Sequence, residues 1–171
     1  MGKRAMTTDS LKECMADSLL ALMEKKEFSK ITINEIAQGA GVNRSTWFRN
    51  FKTKTEALTF KLVHAWHRWE AEQGVAKRRG YTVENAGDFF RFNYENRNII
   101  LLIYKAGMQI TIYDAFCQVM MPQFGAEAEE FYETRFYASG VYGMLGEWVK
   151  RDFRETPEEM AALFYKIIQP H

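Results

Sequence analysis

The sequence predicts an all-α fold, and three features carry that prediction. Apolar residues make up 47% of the 171-residue chain, enough for a buried core, and they recur mostly at three- and four-residue spacing. Alternating runs of Val, Ile and Thr are scarce, and only three prolines occur. Ser/Thr-x-x-Glu stretches, the form of a helix-capping box, stand ahead of several apolar runs.

The first helix is expected from about Asp9 to Lys26, with Leu11, Met15, Leu19 and Leu22 on its inner face. Its start is offered by "SLKE" (Ser10 to Glu13), with Thr8 as a competing cap. "TINE" (Thr32 to Glu35) opens a short helix that turns Ile33, Ile36 and Ala37 inward. Gly41 ends it, because glycine takes a left-handed backbone without penalty. Asn43 caps a second short helix that runs to about Asn50. "TKTE" (Thr53 to Glu56) opens a long helix through Leu58, Leu62, Trp66 and Trp69 to about Lys77. Beyond Gly80 the helices are larger and more aromatic, near 83–96, 98–105, 108–121, 126–150 and 157–168. The last starts at Thr156-Pro157-Glu158-Glu159: a cap, a proline in the first turn, then acids facing the positive end of the helix dipole.

Two short helices around a glycine turn, preceded by a third, make a helix-turn-helix. Ala37 is small where the two helices cross, Gly41 makes the turn and Val42 plugs beneath it. Trp47, Phe48 and Phe51 offer apolar surface to anchor the second helix. Its polar N-terminal residues are then free for a major groove. Two domains are expected: 1–53, a three-helix DNA-binding domain, and 54–171, a helical bundle to which the family resemblance given below assigns ligand binding and dimerisation.

The stretch "KITINEIAQGAGVNRSTWFRNFKTKTEAL" resembles the DNA-binding domain of the TetR family of transcriptional regulators, within a segment from about Thr8 to Leu62. The resemblance lies in a capped helix, an Ala-Gly-Val turn, small hydroxyl residues, an aromatic pair and a lysine opening the long helix. It implies that Arg44 reads a base edge, since a guanidinium bonds guanine O6 and N7 together. It implies mixed base and phosphate contacts for Asn43, Ser45 and Thr46. Phe48 and Asn50 stand where the family commonly carries Tyr and His, both of which reach phosphates. Phe48 has no hydroxyl for that contact; Asn50 keeps a donor. Lys54, at a helix N-terminus, would meet a phosphate by charge and dipole together. Thr32 and Asn34 begin the supporting helix, and Lys3 and Arg4 form a basic arm.

The remainder resembles family members with a short regulatory domain, in "FNYENRNIILLIYKAG" and "FYASGVYGMLGEWVKRDFRETPEEMAALF". That implies a homodimer and a small-molecule pocket. Gly140, Gly143 and Gly146 recur inside one amphipathic helix. Each glycine costs the helix about 1 kcal/mol, which close approach of another helix would justify. With Met144, Trp148 and Phe164 they form the expected dimer face. Trp66, Trp69, Phe90, Tyr94, Tyr104 and Tyr113 are the expected lining for a small apolar or aromatic ligand.

The whole reads as a sequence-specific regulator bound to a double-stranded DNA operator, a ligand-responsive repressor acting as a homodimer. The alternative is a module of the same fold that works with a protein partner. Lys and Arg exceed Asp and Glu by four within residues 1–54, whereas acids exceed bases by three in the rest. No catalytic triad, phosphate loop or dinucleotide fingerprint is present, so no enzyme and no cofactor are expected. His64, His67 and Glu70 share one helix side, but a tetrahedral metal site needs further ligands that are not evident, and no metal is expected. Cys14 and Cys117 lack metal or redox spacing and suit a reducing cytoplasm. No apolar run reaches the roughly 20 residues of a membrane helix.

Overall fold

A computed structural model describes residues 7–74, 83–120 and 127–169. Among these residues the chain forms nine α-helices and no strand: α1 Thr8–Met23, α2 Ile33–Gly39, α3 Arg44–Asn50, α4 Lys54–Gln73, α5 Val83–Glu95, α6 Arg97–Lys105, α7 Ile110–Val119, α8 Ala128–Lys150 and α9 Pro157–Ile168. A single 3-10 turn, Phe28–Lys30, links α1 to α2. The all-α expectation holds: the described residues form helices that pack on one another.

The caps explain most of the helix starts. Thr32 and Thr156 each form a complete capping box with the glutamate three residues on. Thr53 accepts the Glu56 N–H at 3.0 Å, but Glu56 turns its carboxylate to the Lys52 N–H at 2.7 Å, so this box is half made. The first helix corrects the sequence reading: neither Ser10 nor Thr8 caps it. Thr7 does, its hydroxyl accepting the Ser10 N–H. The long helix α4 ends at Gln73, before the expected Lys77. There Gly74 takes a left-handed backbone (φ 62°) and its N–H returns to the Glu70 carbonyl.

The main apolar core runs from Met15 of α1 to Phe164 of α9, and Ala65, Trp69 and Phe92 form a smaller cluster. α1 packs on α2 and α4, α4 lies along α7, α7 meets α8, and α5 lies along α9. The α5–α9 contact is made close by small residues; a Cβ added at Gly87 would lie 4.0 Å from the Ala161 Cβ. Between α8 and α9, Asp152 and Phe153 adopt φ of 55° and 53°, costly for non-glycine residues. Burial of Phe153 against Trp148, with ring centroids 4.8 Å apart, holds that turn.

Among the described residues no helix is long and apolar enough to cross a membrane.

Candidate nucleic-acid interface

The helix-turn-helix is built from α2, α3 and their supports on α1 and α4. α2 lies against α1 through Ser18, whose hydroxyl donates to the Ile36 carbonyl at 2.9 Å. Gly39 makes that approach possible. A Cβ there would sit 2.3 Å from the Ser18 oxygen. The turn follows at once: Gly41 takes φ +66°, and the Val42 N–H bonds the Ala37 carbonyl at 2.9 Å. The two glycines therefore do different jobs, one for helix contact and one for chain reversal.

Trp47 and Phe51 anchor α3. Both are buried, with ring centroids 5.2 Å apart, and Phe51 reaches Phe60 of α4. The opposite side of α3 faces outward: Asn43, Arg44, Ser45, Phe48 and Arg49 are exposed, and Thr46 is half-buried. Asn43 stands at the N-cap position without a side-chain capping bond, so its amide is unspent. Asn50 donates its amide N–H to the Thr46 carbonyl at 2.7 Å. Arg49, absent from the expected set, is tied to the Thr46 hydroxyl at 3.1 Å. Its charge on the exposed side of α3 was the available signal.

At the start of α2, Asn34 and Thr32 are exposed. The Thr32 hydroxyl is committed, donating to the Glu35 carboxylate at 2.8 Å and accepting the Glu35 N–H at 3.3 Å. Hydrogen bonds from Lys26 first, then from Thr32, hold the Glu35 carboxyl down at about 2. Lys54 is likewise occupied. Its ammonium donates to the Phe28 carbonyl at 2.6 Å and the Ile31 carbonyl at 2.9 Å, above the Phe28 ring. Burial lowers its pKa, and the Lys26 charge adds to that. Lys54 is thus a strut between α4 and the α1–α2 connection, with one of its three N–H groups left for a phosphate. Lys3 and Arg4 lie outside the described residues.

The expected ligand lining does not converge. Trp66 and Trp69 pack with Phe92, and the Trp69 indole N–H donates to Glu95 at 2.7 Å. Phe90 and Tyr94 pack on Trp148. Tyr113 meets Tyr142, while Tyr104 is pushed up to about 12 by burial, with the neighbouring Tyr142 adding to it. Trp69 and Phe90 are buried, and Trp66, Tyr94, Tyr104 and Tyr113 are half-buried, each engaged with a neighbouring ring or side chain. None of them borders the cleft of about 680 Å³ that opens between the helix-turn-helix and the bundle. Lys12, Phe51, Thr53 and Phe60 form one wall of it; Asp114 and Arg135 stand on the other.

The expected dimer face is divided: two of its residues are buried within the chain and two face outward. Trp148 is buried within the chain, its indole N–H donating to the Glu155 carbonyl at 3.1 Å, and Phe164 is buried beside Tyr137. Gly146 faces inward, where a Cβ would lie 3.2 Å from the Tyr104 hydroxyl. Gly140 and Gly143 face open space, and Met144 is half-buried. Tyr132 and Phe136 stand on α8 at four-residue spacing ahead of Gly140, 78% and 70% exposed. On α9, Leu163 and Ile167 are exposed at the same spacing. The outward surface of α8 therefore keeps Gly140 and Gly143 of the expected face and adds Tyr132 and Phe136, while Trp148 and Phe164 turn inward. His64 meets Glu13 at 3.5 Å and His67 meets Glu70 at 3.1 Å, so the two rings serve separate contacts.

Comparison with known proteins agrees with this geometry. Residues 17–58 match the bacterial regulatory proteins of the tetR family, and residues 84–170 match a transcriptional regulator C-terminal region of the same family. No curated protein matches the chain. Among solved structures, the fatty acid degradation regulator FadR from Bacillus halodurans is similar over 97% of this chain and 96% of that one, with a TM-score of 0.49 and 13% sequence identity. With the two matched segments covering the helix-turn-helix and most of the bundle, this chain belongs to the TetR family of transcriptional regulators.

Proposed function

We propose that the chain is a homodimeric repressor that reads a two-fold symmetric operator with α3. One observation carries the reading: α3 buries Trp47 and Phe51 while leaving Asn43, Arg44 and Ser45 exposed at the end that would enter a major groove. Residues 1–53 present that helix, and residues 54–171 dimerise. Asn43, Arg44, Ser45 and Thr46 meet base edges and nearby phosphates. Asn34, Arg49, Asn50 and the remaining N–H of Lys54 meet the backbone, while Thr32, its hydroxyl and N–H both spent on Glu35, serves as the cap of α2.

The dimer forms through α8 and α9. Support comes from the outward Tyr132, Phe136, Leu163 and Ile167, and from the open space above Gly140 and Gly143. A small-molecule effector acts from the cleft, because its walls belong to the DNA-reading and bundle halves, and an occupant would bias their relative angle. Those walls mix rings with charges from Lys12, Glu56, Asp114 and Arg135, so the effector carries polar groups besides the apolar or aromatic body expected from sequence.

The test is fluorescence anisotropy against DNA from upstream of the chain's own gene, at two salt concentrations. Wild type should bind one duplex specifically with a steep salt slope. Arg44→Ala should lose about 1–3 kcal/mol and relax its choice of base at one position per half-site. Weak binding that ignores both sequence and this substitution would remove the reading.

A further inference from the structure

Phe48 is the large apolar side chain of α3 left outside the core. It is 53% exposed, whereas Trp47 and Phe51 are 0% and 2% exposed. It stands four residues after Arg44, and the Arg44 guanidinium carbon lies 5.2 Å from its ring centroid. This contact keeps the guanidinium beside the ring, so less rotamer freedom is lost when its N–H edge meets a base. The ring itself offers a phosphate nothing, since it has no donor. In a major groove the apolar group that a base edge presents is the thymine C5-methyl. Bases repeat every ~3.4 Å along a strand. Two side chains in contact, one following the other along α3, are placed to address neighbouring base pairs.

We propose that Arg44 and Phe48 act as one reader of adjacent base pairs: the guanidinium bonds guanine O6 and N7, and the Phe48 ring packs on the C5-methyl of a thymine in the next pair. This assignment rests on α3 being the major-groove helix. It turns the missing hydroxyl at Phe48 from a lost phosphate contact into a specificity determinant.

The experiment selects the tightest duplexes from a random library with the full chain. Thymines are then replaced singly by deoxyuridine, which removes only the methyl, and guanines by 7-deazaguanine, which removes only the N7 acceptor. Wild type should bind about fourfold more weakly at one thymine per half-site, the worth of one buried methyl. About tenfold weaker binding is expected when the neighbouring guanine is replaced. Phe48→Ala should no longer distinguish thymine from deoxyuridine, and Arg44→Ala should ignore the 7-deaza substitution. Both side chains are exposed, and an unchanged thermal melt of each variant verifies that the fold is kept. Equal wild-type affinity for thymine and deoxyuridine at every position overturns the paired reader and leaves the regulator reading standing. So does a methyl preference that survives in Phe48→Ala. A library that enriches no sequence overturns both.

Discussion

At Gly39 the absence of one methyl group sets how closely α2 lies on α1. The Ser18 hydroxyl occupies the space a Cβ would take, and it uses that position to bond the Ile36 carbonyl. Gly39→Ala must push the hydroxyl away and break the bond. The cost should be about 1 kcal/mol in urea unfolding, the usual net worth of such a hydrogen bond. Ser18→Ala alone should cost a similar amount. The double variant should cost no more than Ser18→Ala, because the clash and the bond vanish together. Fully additive losses would show that the Ser18 contact does not set the role of Gly39. The neighbouring Gly41 has nothing within 4 Å of its missing Cβ, so its requirement is the φ of +66° alone.

The elements themselves were largely legible in the sequence, because caps and periodicity are local signals. Thr32 could be read as a box cap, and Thr156 as a cap ahead of a proline and two acids, from four residues each, and the glycine turn from three. What was not legible depends on which helix lies opposite. Trp148 carries the same sequence signal whether it faces its own core or a second chain, and only the turn at Asp152 and Phe153 brings Glu155 to its indole. Lys54 reads as a free cation until the 3-10 turn delivers two carbonyls to it. The pairing of α1 with α4 belongs to this group. Lys61, whose side chain is 9% exposed, bonds Glu13 at 3.1 Å and Asp17 at 2.7 Å, while Arg68 also reaches Glu13 at 3.0 Å. Burial pushes the Glu13 carboxyl up, but the Lys61 hydrogen bond and the charges of Lys61, His64 and Arg68 more than offset it, so the net shift is downward. Lys61→Met keeps the stem and removes the charge. It should destabilise by about 1–2 kcal/mol in urea, less than a fully buried pair would, because Asp17 is half exposed. The Glu13 titration followed by NMR should move to higher pH in this variant. An unmoved Glu13 titration with unchanged stability would show that the α1–α4 junction is held by apolar packing alone.

For the whole molecule, the proposed pairing through α8 and α9 would tie assembly to DNA affinity. Tyr132 and Phe136 continue into Gly140 and Gly143, where nothing lies within 4 Å; Tyr137 of α8 meets Phe164 of α9, and Leu163 and Ile167 of α9 are turned out. A two-fold pairing through this surface would bury the large side chains of one copy over the glycines of the other. Phe136→Glu places a charge at the middle of that contact. Since Phe136 is 70% exposed, the variant should keep its helical circular dichroism and melt as the wild type does at low protein concentration. Sedimentation should show a monomer where the wild type shows a dimer. Operator affinity should fall by about 100-fold or more, because the second half-site is no longer engaged within one molecule. Affinity for a single half-site should be unchanged, since Arg44 and the rest of α3 are untouched. A variant that sediments as a dimer and binds the full operator as tightly as the wild type would move the interface away from α8 and α9. A monomer that binds the full operator undiminished would show that each copy reads DNA independently, and the two-fold operator would lose its physical basis.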